Sequence, residues 1–273
     1  MGFETETSAE PTFSTRSSPD EFRGRVALVT GSAGQGIGKA AAARLIAGGA
    51  DTVVTDVNER RVKEVTAELL ASAPAGVRVI GRVLDVTSCA QMDAVTSEIV
   101  EELGLITLLV NNAALNVMGP IWDYSPDDWA RVMNTNVNGP WYLSKLAMLQ
   151  MRAAGAGSIV NISTVAPDCG GMGIEGPYAV SKGGLNTLTR SCAHEGGPHG
   201  IRVNSVTMGL VRGTRFTDVL HPEMVDDAVT TTPLGALPHA VDIAEAAAFL
   251  LSDRARFITG ETLNVAGGGF MRY

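Results

Sequence analysis

Tyr178 and Lys182 stand four positions apart in Tyr178-Ala179-Val180-Ser181-Lys182, a spacing that puts both side chains on one face of a helix. A free phenol, with a pKa of about 10, is too weakly acidic to serve as a base at neutral pH, and a neighbouring ammonium lowers that value by stabilising the phenolate. The pair therefore suits proton exchange with a substrate oxygen.

A second group lies near the start of the chain. Thr30-Gly31-Ser32-Ala33-Gly34-Gln35-Gly36-Ile37-Gly38 runs directly into Lys39-Ala40-Ala41. Glycines allow a tight turn and a close approach of backbone to a pyrophosphate, whose charge is met by free N–H groups at a helix N-terminus. Gly31, Gly34, Gln35, Gly36 and Ile37 are thus candidate contacts for a dinucleotide. Asp56 follows at the end of the next strand pattern, near the spacing at which a carboxylate accepts hydrogen bonds from an adenosine ribose. That carboxylate repels a 2′-phosphate, and neither Gln35 nor Val57 supplies a positive charge to receive one. The pattern predicts NAD rather than NADP.

Such groups need a scaffold that brings them to one edge. Strand patterns occur at 26–30, 52–56, 77–84, 107–111, 158–163, 202–207 and 261–265, with helical stretches such as 37–48 between most of them. Regular alternation of this kind predicts an α/β chain with a parallel sheet. Runs such as Ala27-Leu28-Val29 and Leu108-Leu109-Val110 are apolar on both faces, as strands covered by helices on both sides require. The expected fold is a single-domain, Rossmann-type, doubly wound sheet of about seven strands, whose ligands bind at the carboxyl ends of the strands.

The rest of the composition excludes several classes. Apolar residues make up 45% of the chain and charged ones 18%, values of a globular protein and not of a disordered one. A net charge of -8 offers no general attraction to nucleic acid or to an anionic membrane. No apolar run reaches the length needed to span a bilayer. Cys89, Cys169 and Cys192 are odd in number and lack a Cys-x-x-Cys pair, which suits a reducing, cytoplasmic setting. His194 and His199 lack a third ligand at metal spacing, so no metal is expected. Residues 1 to about 21 are rich in Ser, Thr, Glu and Pro and read as a disordered tail ahead of a catalytic domain over 22–273.

With these segments in place, the chain resembles the short-chain dehydrogenase/reductase family across residues 22–273, and within it the 3-oxoacyl-reductase-like subgroup. The matching segments fall in order: the Thr-Gly turn, Asp85-Val86, Asn111-Asn112-Ala113-Ala114, Asn136 in Asn134-Thr135-Asn136-Val137-Asn138-Gly139, Ile162-Ser163-Thr164, Tyr178 with Lys182, Arg202-Val203-Asn204, and Ile258-Thr259-Gly260. The resemblance implies that Tyr178 is the general acid/base. Lys182 would lower its pKa and bind the nicotinamide ribose, and Asn136 would hold a water linking Lys182 to solvent. Asp85 and Val86 would sit at the adenine. Asn112, Ala113, Ala114 and Val211 would line the cofactor cleft, and a homotetramer is implied.

Four departures from the family pattern stand out. Four residues, not three, separate Gly31 from Gly36. Asn-Asn-Ala-Ala replaces Asn-Asn-Ala-Gly, and Met208-Gly209 replaces Pro-Gly. Thr164 occupies the position of the family's catalytic serine, with Ser163 before it. Consecutive residues at a strand end point to opposite faces, so only one of the two is expected in the cleft.

Met208, Phe216, Val219, Leu220 and Met224, with Leu115, Val117 and Met118, give the substrate loops an apolar character. Arg212, Arg215 and His221 read as solvated loop charge. The reading is an NAD-dependent oxidoreductase for a secondary alcohol/ketone pair, apolar or cyclic, with no nucleic-acid or membrane partner. An NADPH-dependent 3-oxoacyl thioester reductase is the alternative within enzymes, and Asp56 argues against it. A non-catalytic dinucleotide sensor is the alternative outside them, and Tyr178, Lys182 and Asn136 argue against that.

Overall fold

Seven runs rich in Val, Ile, Leu and Thr form one parallel sheet in the computed structural model, which describes residues 20–218 and 221–271. They are β1 (Val26–Val29), β2 (Asp51–Asp56), β3 (Val79–Val83), β4 (Ile106–Asn111), β5 (Gly157–Ile162), β6 (Ile201–Thr207) and β7 (Thr262–Asn264). Their order across the sheet is β3-β2-β1-β4-β5-β6-β7. Every neighbouring pair is parallel. The chain reverses its direction of growth between β1 and β4, which opens a crevice at the carboxyl ends of those strands.

Helices α1 (Ile37–Ala47), α2 (Glu59–Ala71), α3 (Cys89–Glu102), α4 (Pro126–Met133), α5 (Gly139–Ala154) and α6 (Gly176–Gly196) carry the crossovers. Three more, α7 (Arg215–Asp218), α8 (Pro222–Thr231) and α9 (Ala240–Leu251), follow β6. Alternation along the strands divides the core in two. Ala27 and Val29 of β1 face Ala42, Leu45 and Ile46 of α1 and the apolar side of α9. Val26 and Leu28 face Met92 and Ile99 of α3 and Leu143 and Met151 of α5. All four residues of β1 are buried, the both-faces burial that its unbroken apolar run predicts.

Ser125 caps α4 by accepting from the Asp128 N–H. Between α4 and α5 the backbone takes a π turn over Asn134–Asn138 that carries Asn136 into the interior, where it has no exposure. Such a bulge re-aims one side chain without ending the helix.

The expected tail is described only from residue 20, and there one boundary needs correction. Glu21 is bound rather than free: its carboxylate meets Arg44 and Arg254 at 2.7 Å each. Phe22 is buried, and the Arg44 guanidinium lies 5.7 Å from its ring centroid. Composition places Glu21 with the polar segment before it because a charge that is paired inside a fold looks like any other charge in sequence. Val219 and Leu220 of the substrate-loop reading lie outside the described residues.

Candidate active site

The loops after the strands enclose one cleft of about 820 Å³, ample for a dinucleotide and a substrate. Every cofactor residue expected from the sequence lines it: Gly31, Gly34, Gln35, Gly36, Ile37, Asp56, Val57, Asp85, Val86, Asn112, Ala113, Ala114 and Val211. So do Thr164, Tyr178 and Lys182. Asn136 does not, because the π turn buries it behind the wall.

At one end the glycine turn is dictated by contact. Gly31 adopts φ +61°, and a Cβ there would lie 3.0 Å from Ala113 Cα; one on Gly38 would lie 2.6 Å from the Gly31 carbonyl oxygen. Asn112 holds this approach by donating from Nδ2 to the carbonyls of Thr30 (2.9 Å) and Gly31 (3.0 Å). The Thr30 hydroxyl in turn accepts from the backbone N–H groups of Asn112 (2.9 Å) and Ala113 (3.0 Å). No side chain caps α1, which leaves its first N–H groups without a side-chain partner at the cleft. A backbone cradle, an uncapped helix start and the Asp56 carboxylate together fit a dinucleotide.

Asp56 is 8% exposed. Its Oδ1 accepts from the Asn58 N–H (3.0 Å) and from Arg61 Nη2 (2.7 Å). Arg61 also lines the cleft. Sequence reasoning tested only Gln35 and Val57 for positive charge and missed it. The available signal was Asn58, whose side chain caps α2 through the Arg61 N–H and thereby fixes Arg61 in the first turn, beside the end of β2.

At the other end α6 presents its first turns. Lys182 is 2% exposed and donates to the Ile162 carbonyl at 2.7 Å; burial pulls its ammonium down to about 8. Its Nζ lies 5.6 Å from the Tyr178 ring centroid. Phe216 stacks on that ring at 5.9 Å and 27°. Burial, and after it the Glu175 carboxylate, push the Tyr178 phenol up from its ordinary value.

Glu175 is half-buried, accepts from Asn116 Nδ2 at 2.8 Å, and has its own carboxyl pushed up by burial. It too was missed; its place at the start of α6, immediately before Gly176 and three residues before Tyr178, is the signal.

Asn136 is fully engaged by the protein. Its Nδ2 donates to Leu115 O (2.8 Å) and Ser181 Oγ (2.9 Å), while its Oδ1 accepts from the Leu115 N–H (2.8 Å). It therefore fastens the loop after β4 to α6.

Ser163 and Thr164 are both residues of the cleft wall, and the Ser163 side chain is buried. Beyond the end of β5 at Ile162, Ser163 and Val165 still donate backbone N–H groups to Val206 and Met208. Thr164 Oγ1 donates to the Met208 carbonyl at 3.2 Å. The Ser163 hydroxyl is buried and has no hydrogen-bond partner among the described residues. Met208, Leu115, Met118, Phe216 and Met224 also line the cleft, as expected of the apolar loops, whereas Val117, Arg212 and His221 do not.

A family model described as enoyl-(acyl carrier protein) reductase matches residues 31–269. A 3-oxoacyl-(acyl-carrier-protein) reductase of Salmonella typhimurium is 36% identical over 250 residues, spanning 92% of this chain and 99% of that protein. The (5R,7aS)-5-hydroxy-7a-methyl-1-oxo-2,3,5,6,7,7a-hexahydro-1H-indene-carboxyl-CoA reductase of Mycobacterium tuberculosis is 33% identical over 243 residues, 89% of this chain and 92% of that one. Among solved structures, an Agrobacterium tumefaciens protein provisionally described as a gluconate dehydrogenase superposes with a TM-score of 0.87 at 28% identity, covering 93% and 99% of the two chains. The chain belongs to the short-chain dehydrogenase/reductase family and is an oxidoreductase of the 3-oxoacyl-reductase-like kind. That family binds a nicotinamide dinucleotide. Among the described residues, no helix is long and apolar enough to cross a membrane.

Proposed function

We propose that the protein is an NAD-dependent dehydrogenase/reductase that interconverts a secondary alcohol and a ketone, with an apolar or cyclic substrate. The observation that carries this reading is the meeting of Tyr178 and Lys182, one helical turn apart, on the wall of the same cleft that the glycine turn and Asp56 close at its far end. The bound nicotinamide supplies or accepts the hydride. The chain's own residues handle the proton and the orientation. Tyr178 gives its phenolic proton to the carbonyl oxygen in reduction and takes the hydroxyl proton in oxidation. Thr164 orients that oxygen with its hydroxyl, turning from the Met208 carbonyl. Lys182 presents a fixed positive charge beside the phenol and is the ligand for the nicotinamide ribose, while Asn136 holds the loop after β4 against α6. Gly31, Gly34, Gln35, Gly36 and Ile37 cradle the pyrophosphate. Asp56 and Val57 meet the adenosine ribose, Asp85 and Val86 meet the adenine, and Asn112, Ala113, Ala114 and Val211 flank the nicotinamide side. In this reading the protein works in the cytoplasm as a homotetramer.

A panel of alcohols and ketones followed at 340 nm with NAD(H) and NADP(H) tests the proposal. Turnover of cyclic or apolar ketones with NADH as the better cofactor supports it. The names of the relatives favour a second reading, reduction of a 3-oxoacyl thioester, and turnover of acetoacetyl-CoA with NADPH alone decides for that one.

A further inference from the structure

The substrate side of the cleft is largely apolar, with Leu115, Met118, Ile174, Phe216 and Met224 on its wall. One carboxylate interrupts that wall. Glu175 lines the cleft three residues before Tyr178, close enough for its charge to act on the phenol. Its Oε1 accepts from Asn116 Nδ2 at 2.8 Å, whereas Oε2 has no hydrogen-bond partner among the described residues. The Gly119 N–H donates to the Ile174 carbonyl at 2.8 Å, so a side-chain tie and a backbone tie together hold the loop after β4 against this residue. The carboxylate is thereby fixed in one orientation. Burial pushes the Glu175 carboxyl up, the mark of a charge drawn out of water; such a group is unfavourable unless donors meet it, and the protein supplies a donor to one oxygen only.

The charges of this end point the same way. Asp227 of α8 is a second carboxylate on the wall, on the helix face that also turns Met224, Ala228 and Thr231 to the cleft. The cations of the wall are engaged with other groups, Lys182 with the Ile162 carbonyl and Arg61 with Asp56. Arg212 and His221 stay off it.

We propose that Glu175 is a specificity-determining residue whose free carboxylate oxygen accepts a hydrogen bond from a second hydroxyl of the substrate. The protein then prefers a hydroxylated cyclic alcohol or ketone to the plain one, and rejects an analogue that carries a carboxylate in that place. A site built to hydrogen-bond a substrate hydroxyl discriminates strongly against the analogue lacking it, because its own acceptor is left unpaired. An anionic group there meets like charge where water screens it poorly. This rests on the reading that Tyr178 works on an alcohol/ketone pair in this cleft, and it narrows the substrate within that reading.

Oxidation of cyclohexanol, of the positional isomers of cyclohexanediol and of the matching hydroxycyclohexanecarboxylates, followed by nucleotide absorbance with the full-length chain, tests the proposal. In the wild type kcat/KM for at least one diol exceeds that for cyclohexanol by about tenfold or more, and the carboxylates are the poorest of the set. Each comparison is a ratio within one enzyme at one pH, so the effect of Glu175 on the Tyr178 phenol cancels. Glu175→Gln keeps an acceptor for Asn116 and puts an amide NH2 where the free oxygen was. The diol preference then falls to within about threefold of parity, and the carboxylates gain on cyclohexanol. Glu175→Asp, which keeps the charge one methylene back, falls between. Asn116→Ala removes the tie but leaves the carboxylate, and it retains the preference. A preference that survives Glu175→Gln overturns the proposal, as does a wild type that turns over cyclohexanol as well as every diol. Equal loss of the preference in Asn116→Ala and Glu175→Gln also overturns it, since Glu175 would then act only by holding the loop. If NADH binds but no cyclic alcohol or ketone is turned over with either nucleotide, the alcohol/ketone reading itself fails, and the Glu175 proposal falls with it.

Discussion

The Lys182 ammonium sits 5.6 Å from the centroid of the Tyr178 ring while donating to the Ile162 carbonyl at 2.7 Å. The carbonyl at the end of β5 thus fixes the cation beneath the phenol. An interior ammonium with one backbone acceptor is held against its own solvation, and the consequences reach both stability and pH dependence.

Burial lowers the Lys182 pKa from 10.5 to about 8, so between those two values the unfolded chain binds more protons than the folded one. Stability then rises with pH across about pH 8 to 10.5, and the folded state carries the penalty of the charge below it. Lys182→Met is expected to raise the unfolding free energy at pH 7 by up to about 3 kcal/mol, less the lost Ile162 contact, while abolishing turnover. Denaturant titrations of both proteins at pH 7 and pH 10 check this: the gap should narrow at the higher pH.

Burial first, and then the negative charge of Glu175, raise the Tyr178 phenol. Alcohol oxidation needs the phenolate and so increases as pH rises through that pKa. Glu175→Gln removes the charge and keeps an acceptor for Asn116, so the rising limb of the kcat/KM profile should move to lower pH. An unmoved limb would show that Glu175 acts on structure alone.

Thr164→Ala should lose about 2 to 4 kcal/mol of transition-state stabilisation, as removal of one oriented donor does, and Thr164→Ser should keep most activity. Ser163→Ala deletes a buried hydroxyl that has no partner among the described residues, so it is expected to leave stability equal or slightly higher and activity only mildly reduced. Kinetics and melting temperatures of the three variants measure this, and an inactive Ser163→Ala beside an active Thr164→Ala would transfer the role to Ser163.

The parallel sheet, the glycine turn and the Tyr178–Lys182 pair were all legible because each follows from local spacing. Unbroken apolar runs mark two-sided burial, and four-residue spacing marks one helix face. What the sequence did not show depends on partners far apart in the chain. Glu21 becomes structural only by meeting Arg44 and Arg254, Asn136 meets Leu115 and Ser181, and the pKa of Tyr178 answers to how deeply the fold buries it.

Residues 1–19 are rich in Ser, Thr, Glu and Pro, and deleting them is expected to leave melting temperature and activity nearly unchanged. Glu21 bridges two arginines with a side chain only 8% exposed, and Glu21→Ala should destabilise by about 1 to 3 kcal/mol by leaving those charges half-paired. Thermal melts of the deletion and of the point variant separate the two effects.

In the proposed reaction the Tyr178 hydroxyl moves the proton in an alcohol/ketone interconversion. Tyr178→Phe keeps the ring and its stacking on Phe216 and removes only that hydroxyl. Turnover of the best ketone from the panel with NADH should fall by about 100-fold or more, while NADH affinity, read from nucleotide fluorescence, stays near the wild-type value. Near-normal turnover in Tyr178→Phe would show that another group moves the proton.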